Sequence, residues 1–282
     1  MTCRVAPRGL LAALALLLCA GLLWLRPASA AGPEMPDLFS PKEAIAYSQS
    51  AIGRQLADHR FRDESGREIA LSDYGGAPLV VSMVFTACAE SCPLLIQYLA
   101  EAVEVAQDTL GRDSFAVVTV GFDTETDTPE RMRAFASMHG IDLPNWRFLS
   151  GDPETVDSLI AELGYLRYSS PRGFDHVAQT SVLDGERVIQ AHVYGDNFPV
   201  PALVDPLKAL MFEQVSPLAD FGQLVERIRL FCTFYDPGKG RYAFDYSFFV
   251  SMTVGGLVIL GLATVLLLAW LRSSKRPPEG LA

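Results

Sequence analysis

The sequence LVVSMVFTACAESCP, residues 79–93, contains the strongest structural pattern in the chain. Its first part, residues 79–85, is an almost unbroken apolar run rich in β-branched side chains, which predicts a central strand covered on both faces. Pro93 then opens a helix, since proline is well tolerated in a first helical turn. Cys88 and Cys92 are therefore expected where a buried strand turns into a helix.

Beyond this stretch the sequence alternates between helical and strand periodicity. The helix that Pro93 opens has apolar residues at every third or fourth position and stops at Gly111. The predicted elements after it are a buried strand at 115–122, a helix at 129–139, a short strand at 146–149, a helix from 152 or 153 to 163, strands at 179–183 and 188–193 joined by Asp184-Gly185, and a closing helix at about 217–231. This order predicts an α/β fold with a central mixed sheet flanked by helices.

The N-terminal end of the chain has the layout of an export signal. Two arginines precede an apolar run at 9–25, and the small triplet Ala28-Ser29-Ala30 follows it, so residues 1–30 are predicted to be a signal peptide cleaved after Ala30. An uncleaved N-terminal anchor is the alternative, because the run is long enough to stay in a membrane. Residues 31–50 contain three prolines and are interpreted as a leader ahead of a domain at 51–232.

The C-terminal end predicts a membrane span. Residues 246–271 carry no charge and have aromatic residues at both ends, as expected of a transmembrane helix with interfacial belts. Residues 233–245 are then a juxtamembrane linker, and the basic residues in 272–282 predict a cytoplasmic tail. We expect one C-terminal span in a bacterial inner membrane, with the globular domain in the periplasm or otherwise outside the cytoplasm.

Charge and cysteine usage narrow the function. The net charge of −10, without a basic stripe, argues against a nucleic-acid partner. Cys3 and Cys19 fall in the signal, so the exported domain retains Cys88, Cys92 and Cys232. A thiol at a helix N-terminus is biased towards the thiolate by the helix dipole, and Cys88, in the loop, is expected to be more exposed than Cys92. A static disulfide is the alternative, although closing so short a loop would stabilise the domain little.

Three motifs together resemble the Sco/SenC family over roughly residues 51–231. They are Cys88-x-x-x-Cys92-Pro93 after an apolar strand, the segment DTETDTP at 123–129 after the next strand, and Asp175-His176. The resemblance implies a thioredoxin-like domain that binds one copper ion through Cys88, Cys92 and His176. It also implies a role in maturing the CuA centre of cytochrome c oxidase, with the CuA-bearing subunit or another copper-site client and a periplasmic copper donor as partners.

Two features depart from that family. Val177 follows His176 where a small hydroxyl residue is common, and the evident anchor is C-terminal where an N-terminal one is more usual. Neither removes a ligand. Two thiolates and an imidazole suit Cu(I), and also Cu(II), whereas structural zinc sites usually take four protein ligands. Asp175 is interpreted either as a group that orients the His176 ring or as a solvated loop carboxylate.

Two other functions use the same cysteines. The first is a membrane-tethered thiol-disulfide oxidoreductase in which Cys88 and Cys92 form the redox-active pair, so that enzyme activity stays an open question. The second is a peroxide-reducing enzyme, for which Thr86 and Arg172 are only a partial activating set. His176 distinguishes a copper site from a simple dithiol, because only the copper site needs the imidazole.

The remaining candidate residues have simpler interpretations. Polar residues surround His59, His139 ends a predicted helix, and His192 lies on the second hairpin strand, so none of them is preferred as a ligand. Cys232 is interpreted as a buried or juxtamembrane thiol, with an intermolecular disulfide or a transient metal contact as the alternative.

Overall fold

The structure is a computed structural model, and it describes residues 39–89, 91–171, 173–214, 233–244 and 246–273. The helices in these ranges are α1 (Pro41–Gln49), α2 (Ser91–Leu110), α3 (Pro129–Met138), α4 (Pro153–Leu163), α5 (Val200–Gln214) and α6 (Ser247–Ser273). The strands are β1 (Arg60–Asp63), β2 (Glu68–Ala70), β3 (Leu79–Val84), β4 (Ala116–Gly121), β5 (Trp146–Ser150), β6 (Arg167–Ser170), β7 (Gly173–His176), β8 (Gln179–Leu183), β9 (Ile189–Tyr194), β10 (Thr233–Asp236) and β11 (Arg241–Phe244).

A seven-stranded mixed sheet forms the centre of the domain, in the order β2-β1-β5-β4-β3-β8-β9. Strands β3, β4 and β5 are parallel to one another, and the outer strands pair antiparallel. Every residue of β3 is buried, as are five of the six in β4. The predicted α/β architecture, a mixed sheet flanked by helices, is therefore confirmed.

The parallel strands place two loops at one edge of the sheet. The residues of β3 and β4 pair in register from Leu79 opposite Ala116 to Val84 opposite Gly121, so the two strands end together. The loop after β3 carries Cys88, and the loop after β4 carries the acidic segment at 123–129. Since the carboxyl ends of parallel strands meet at the same edge, these two loops are neighbours.

Local signals in the sequence account for the helix starts and the tight turn. Thr128 and Asp152 cap α3 and α4, each followed by a proline in the first turn. The β8–β9 turn is held by Asp184, whose Oδ1 accepts from the Glu186 and Val188 backbone N–H groups at 2.9 Å each. The helix that Pro93 opens, the helices predicted at 129–139 and from 152 or 153 to 163, and the predicted hairpin are confirmed, with boundaries within a few residues of those expected.

The leader interpretation of residues 31–50 is wrong for its second half. Residues 41–49 form α1, which buries Ala44 and Ser48. The hydroxyl of Ser48 lies 2.5 Å from that of Tyr194, and Gln49 Nε2 donates to the same Tyr194 oxygen at 2.8 Å. The folded domain therefore begins before residue 51, and contacts with β9, far along the chain, stabilise its first helix.

The C-terminal part of the domain also differs from the prediction. Helix α5 was not expected, and the predicted helix at 217–231 lies outside the described residues. The segment predicted to be a linker, 233–245, contains an antiparallel hairpin, β10–β11, paired from Thr233 opposite Phe244 to Asp236 opposite Arg241. The linker interpretation is therefore wrong for residues 233–244.

Helix α6 has the length and composition of a membrane span. Within it, residues Phe249–Leu271 are apolar enough to cross a bilayer, and none of the tested window is buried against the domain. This is one candidate C-terminal apolar helix, at the position predicted for the span. The predicted signal peptide, the first part of the leader and residues 274–282 of the predicted tail lie outside the described residues.

Candidate metal centre

Cys88 and Cys92 differ in their surroundings. Cys88 is half-buried in the loop between β3 and α2, whereas Cys92, in the first turn of α2, is 1% exposed. The predicted order of exposure is confirmed. Cys88 is thus the thiol that an incoming metal ion or disulfide meets first.

The N-terminal end of α2 acts on Cys88. The Cys92 backbone N–H donates to Cys88 Sγ at 3.3 Å, and Ser91 Oγ lies 3.5 Å from the same sulfur. Such an N–H stabilises negative charge on the sulfur. The pKa of Cys92 is raised by its hydrogen bond with Cys88 and by burial. The pair is therefore asymmetric: the half-buried Cys88 sulfur accepts an N–H bond that stabilises negative charge, and the buried Cys92 thiol has a raised pKa.

Asp127 holds the cysteine loop in place. Its Oδ1 accepts from the Thr86 backbone N–H at 2.8 Å and from the Thr86 hydroxyl at 2.7 Å, while its Oδ2 accepts from the Asp123 backbone N–H at 2.9 Å. Asp127 is only 2% exposed, and burial raises its pKa. A side chain at Gly121 would place its Cβ 2.5 Å from Asp127 Cβ, so glycine is required there.

The role of Asp127 explains part of the acidic motif at 123–129. The sequence marked this segment only by resemblance, and no role was assigned to Asp127. The bonds to Thr86 also weaken the peroxide-reducing hypothesis, because the Thr86 hydroxyl hydrogen is directed to Asp127. Arg172, the other residue of that hypothesis, lies outside the described residues.

His176 ends the small hairpin β6–β7 in an aromatic setting. Its ring centroid lies 5.5 Å from that of Phe122, 5.8 Å from Tyr165 and 6.0 Å from Phe85. Gly173 begins β7 at φ +112°, where a Cβ would lie 3.0 Å from a ring carbon of Phe85. The backbone freedom and small size of glycine therefore let the hairpin approach the end of β3.

Arg167 fastens the hairpin to the domain. Its guanidinium donates to the Phe122 carbonyl and, at 2.6 Å, to Asp157. It also lies 5.6 Å above the Phe122 ring and 5.7 Å above that of Phe174, within cation–π range. Since Arg167 pairs with His176 across the hairpin, these contacts fix the strand that carries the histidine.

The electrostatics of His176 suit a metal ligand. Burial lowers its pKa, and a hydrogen bond with the Val177 backbone and the charges of Cys88 and Asp175 oppose that shift. The ring is therefore neutral at pH 7, and neutral imidazole is the form that coordinates metals. Its Nδ1 is buried without a hydrogen-bond partner, which leaves one nitrogen available to a ligand. Asp175 is the smallest of these contributions, and its role beside His176 stays a prediction.

The three predicted ligands do not form a closed metal site. Cys88 and Cys92 contact one another, and His176 is near enough for the charge of Cys88 to affect its pKa. Even so, among the residues described, no three His, Cys, Asp or Glu side chains converge to metal-binding distance. Two sulfurs and one orphaned imidazole nitrogen nevertheless fit the donor preferences of copper.

The other histidines have structural partners. His59 Nε2 lies 2.8 Å from Glu162 Oε2, and the His139 ring packs at 4.5 Å on Phe135. His192 Nδ1 lies 2.9 Å from the Ser181 hydroxyl and 3.2 Å from Gln179 Nε2. His192 Nε2, like His176 Nδ1, is buried without a hydrogen-bond partner, and the interpretation that none of the three is a ligand stays a prediction. Cys3, Cys19 and Cys232 lie outside the described residues.

His192 should make the domain sensitive to acid. Burial lowers its pKa from 6.5 to about 4, so between these values the unfolded chain binds the proton more tightly than the folded one. Above pH 6.5 the proton equilibrium of His192 does not reduce the free energy of unfolding. As the pH falls from 6.5 towards 4, it reduces that free energy by about 2–3 kcal/mol. Urea unfolding at pH 7.5 and 4.5 should show a smaller pH-dependent loss for His192→Gln than for wild type; equal losses would contradict the assignment.

Comparisons with known proteins agree with the resemblance seen in the sequence motifs. The SCO1/SenC family model matches residues 49–211. A Bacillus subtilis SCO1 protein homolog is 21% identical over 200 residues, which cover 68% of this chain and 94% of the relative.

Two solved structures share the fold. Arabidopsis thaliana ScoI with copper bound is 19% identical with a TM-score of 0.50, and the match covers 56% of this chain and 98% of that one. BsSco, described as a member of the Sco family of cytochrome c oxidase assembly proteins with a disulfide switch, is 16% identical with a TM-score of 0.51, covering 56% and 94%.

Proposed function

Since this chain belongs to the SCO1/SenC family, we propose that it is a membrane-tethered, extracytoplasmic protein that binds one copper ion and delivers it to, or helps to assemble, the CuA centre of cytochrome c oxidase. The observation that carries the proposal is the pairing of an asymmetric dithiol at the start of α2 with a neutral histidine whose Nδ1 lacks a partner. Cys88, Cys92 and His176 are the proposed ligands.

The chemistry of these groups favours a copper ion that is bound for transfer over one that is retained as a permanent cofactor. Two sulfurs and one nitrogen suit copper, but three ligands leave a position through which the ion can pass to a client. His176 stands on a separate hairpin from the cysteines, so the proposed site is assembled from two distant segments of the chain. In support, the related Arabidopsis protein is described with copper bound, and BsSco as belonging to cytochrome c oxidase assembly proteins.

Membrane tethering rests on α6. Its apolar segment is long enough to span a bilayer, and the side chains described in that segment are exposed. With the export signal predicted for residues 1–30, we infer that the domain lies in the periplasm of a bacterium and that the copper donor is another periplasmic component. The partner is then the oxidase subunit that carries CuA, or another exported copper protein.

A second function is favoured by the asymmetry of the thiols. An accessible Cys88 favoured as thiolate and a buried, protonated Cys92 are the arrangement of an attacking and a resolving cysteine. Cys88 would attack a client disulfide, and Cys92 would then displace the client, so that two thiols supply the two electrons. Such a reaction could prepare the cysteines of a CuA site, and therefore complements copper delivery.

The proposed function is tested by copper uptake and transfer. The reduced full chain in nanodiscs should bind one equivalent of Cu(I), hold it against a chromogenic chelator and give it up to an apo CuA domain, with zinc as the control metal. A deletion strain with normal CuA content at limiting copper would contradict the assembly role. Binding of less than one equivalent would contradict the proposed site for one copper ion.

A further inference from the structure

The hairpin β10–β11 lies outside the part of the chain that matches the family, 49–211, and directly before the candidate membrane helix. It is well formed, since its four residue pairs run from Thr233 opposite Phe244 to Asp236 opposite Arg241. Asp236 holds the turn, where its Oδ1 accepts from the Gly238 N–H at 3.0 Å and its Oδ2 lies 2.9 Å from Lys239 Nζ. The segment before the anchor is thus ordered structure, and not a loose linker.

The hairpin is attached to helix α5 by polar contacts. Tyr242 donates its hydroxyl hydrogen to Asp205 Oδ1 at 2.5 Å. Lys208 Nζ donates to the Thr233 carbonyl and lies 5.7 Å from the ring centroids of both Phe234 and Tyr242. Asp205 and Lys208 are three residues apart, so they occupy the same side of α5. Lys208 binds β10 and Asp205 binds β11, so both strands of the hairpin are held.

The hairpin also lies against the C-terminal half of α2. Val105, Asp108 and Thr109 line one cavity together with Thr233 and residues 240–242 and 244. Tyr235 and Tyr242, whose rings lie 5.4 Å apart, pack against the hydrophobic core of the domain. The hairpin therefore contacts both α2 and α5, and these two sets of contacts restrain it in more than one direction.

The restraint continues into the anchor helix. The Phe244 ring at the end of β11 lies 4.8 Å from that of Tyr246 and stacks at 5.8 Å on that of Phe249, in the first turn of α6. Only two residues separate β11 from α6. The start of the span is therefore tied to the hairpin by side-chain packing as well as by the short connection.

We propose that β10–β11 is a bracket that fixes the membrane anchor to the domain at the end of α2 opposite the cysteines. This inference rests on the proposed function, in which α6 spans the membrane and the cysteines bind copper. Cys92 lies in the first turn of α2, and the hairpin meets that helix at residues 105–109. At a rise of about 1.5 Å per residue, these points are separated by roughly 20 Å along the helix.

The bracket determines which client surface the site can meet. Because the anchor joins the domain at the far end of α2, the cysteines are held away from the start of the span. The partner is then an exported domain whose copper-acceptor site stands clear of the bilayer, and not a site at the lipid surface. A flexible linker of the same length would let the cysteines reach acceptor sites of both kinds, those clear of the bilayer and those at the lipid surface.

Pulsed electron-electron distance measurements on the full chain in nanodiscs test the bracket. Spin labels are introduced at Leu94→Cys, an exposed position in the first turn of α2 two residues after Cys92, and at Ser247→Cys, with every native cysteine changed to serine. We expect one narrow distance distribution, at roughly 20 Å or more. Asp205→Ala/Lys208→Ala should broaden it at least about two-fold, because both polar contacts between hairpin and α5 are removed.

A matched double variant and a second readout make the test decisive. Lys42→Ala/Glu43→Ala removes the same charges from exposed positions on α1 and should leave the distribution narrow. A broad distribution in the parent protein, or equal broadening in both double variants, would overturn the bracket. Hydrogen exchange of α6 in the same nanodiscs reports insertion separately: a narrow distance with an unprotected α6 supports the bracket and contradicts only the proposed membrane tethering.

Discussion

Replacing His176 with alanine is expected to weaken Cu(I) binding by about 100-fold or more, since changes to residues that merely support metal ligands already cost about 10–100-fold. The reason is geometric: His176 Nδ1 is the one buried ring nitrogen near the cysteines that has no partner among the described residues. Competition of the reduced protein with a chromogenic Cu(I) chelator measures the change.

The alanine variant also opens space among Phe85, Phe122 and Tyr165, so a second variant is needed. His176→Phe keeps an aromatic ring in that position but has no nitrogen, and should lose the same affinity with less effect on the thermal unfolding midpoint. His139→Ala serves as the control, because His139 packs on Phe135 at the end of α3 and should bind copper as wild type does.

The same variants separate the two proposed activities. A dithiol needs only Cys88 and Cys92 to exchange with a disulfide, so His176→Phe should retain most of the exchange rate with a small aromatic disulfide. Unchanged copper affinity in both His176 variants would contradict the three-ligand site and leave the oxidoreductase. Loss of both activities in His176→Phe alone would indicate that the ring also controls the reactivity of the thiols.

The sequence was sufficient for the centre of the fold because the evidence there is local. An apolar run at 79–85, an amphipathic helix after it and cysteines between them predict β3, α2 and the loop that joins them. Capping residues and prolines likewise marked the starts of α3 and α4. In each case residues within one or two turns determine the conformation.

The parts that could not be predicted depend on distant contacts. Helix α1 has little apolar character and is stabilised through Tyr194, and the β10–β11 hairpin is held by Lys208 and Asp205. Strands β6 and β7 are short, and β7 has no alternation of buried and exposed residues, so the hairpin that carries His176 has no strand pattern. A local signal is Gly173, which is needed both for its φ of +112° and because Phe85 lies against it.

Asp127 illustrates a functional residue that spacing alone does not reveal. An aspartate in the polar stretch 123–129 looks solvated, yet this one is 2% exposed and accepts three hydrogen bonds. Its partners, Thr86 and Asp123, belong to different loops, and only the parallel pairing of β3 and β4 brings them together. The proposed ligands can therefore be identified from the sequence. The residue that supports their loop, Asp127, is recognised only once the strand pairing is known.

Asp127→Ala should consequently have the largest effect on stability of any single change near the site. It removes the buried carboxylate that accepts from the Thr86 and Asp123 N–H groups, which predicts a loss of about 2–4 kcal/mol in the free energy of unfolding. It should also change the alkylation rate of Cys88, because Thr86 lies two residues before that thiol. Urea unfolding and iodoacetamide kinetics on the reduced protein measure the two effects.

Asp152→Ala is the matched control, since Asp152 also accepts a backbone N–H, from Thr155 at 3.0 Å, but caps α4 at an exposed position. Loss of such a cap costs about 1 kcal/mol, and Cys88 alkylation should stay at the wild-type rate. Asp127→Asn should fall between the two, because its amide oxygen can still accept from Thr86 while its NH₂ group faces the Asp123 N–H. If Asp127→Ala and Asp152→Ala gave the same stability and the same alkylation rate, the bonds of Asp127 would be ordinary loop contacts. The separation expected between them follows from the burial of the carboxylate: Asp127 is 2% exposed and accepts three hydrogen bonds, whereas Asp152 is exposed, so the N–H group that loses its cap there can bond to water.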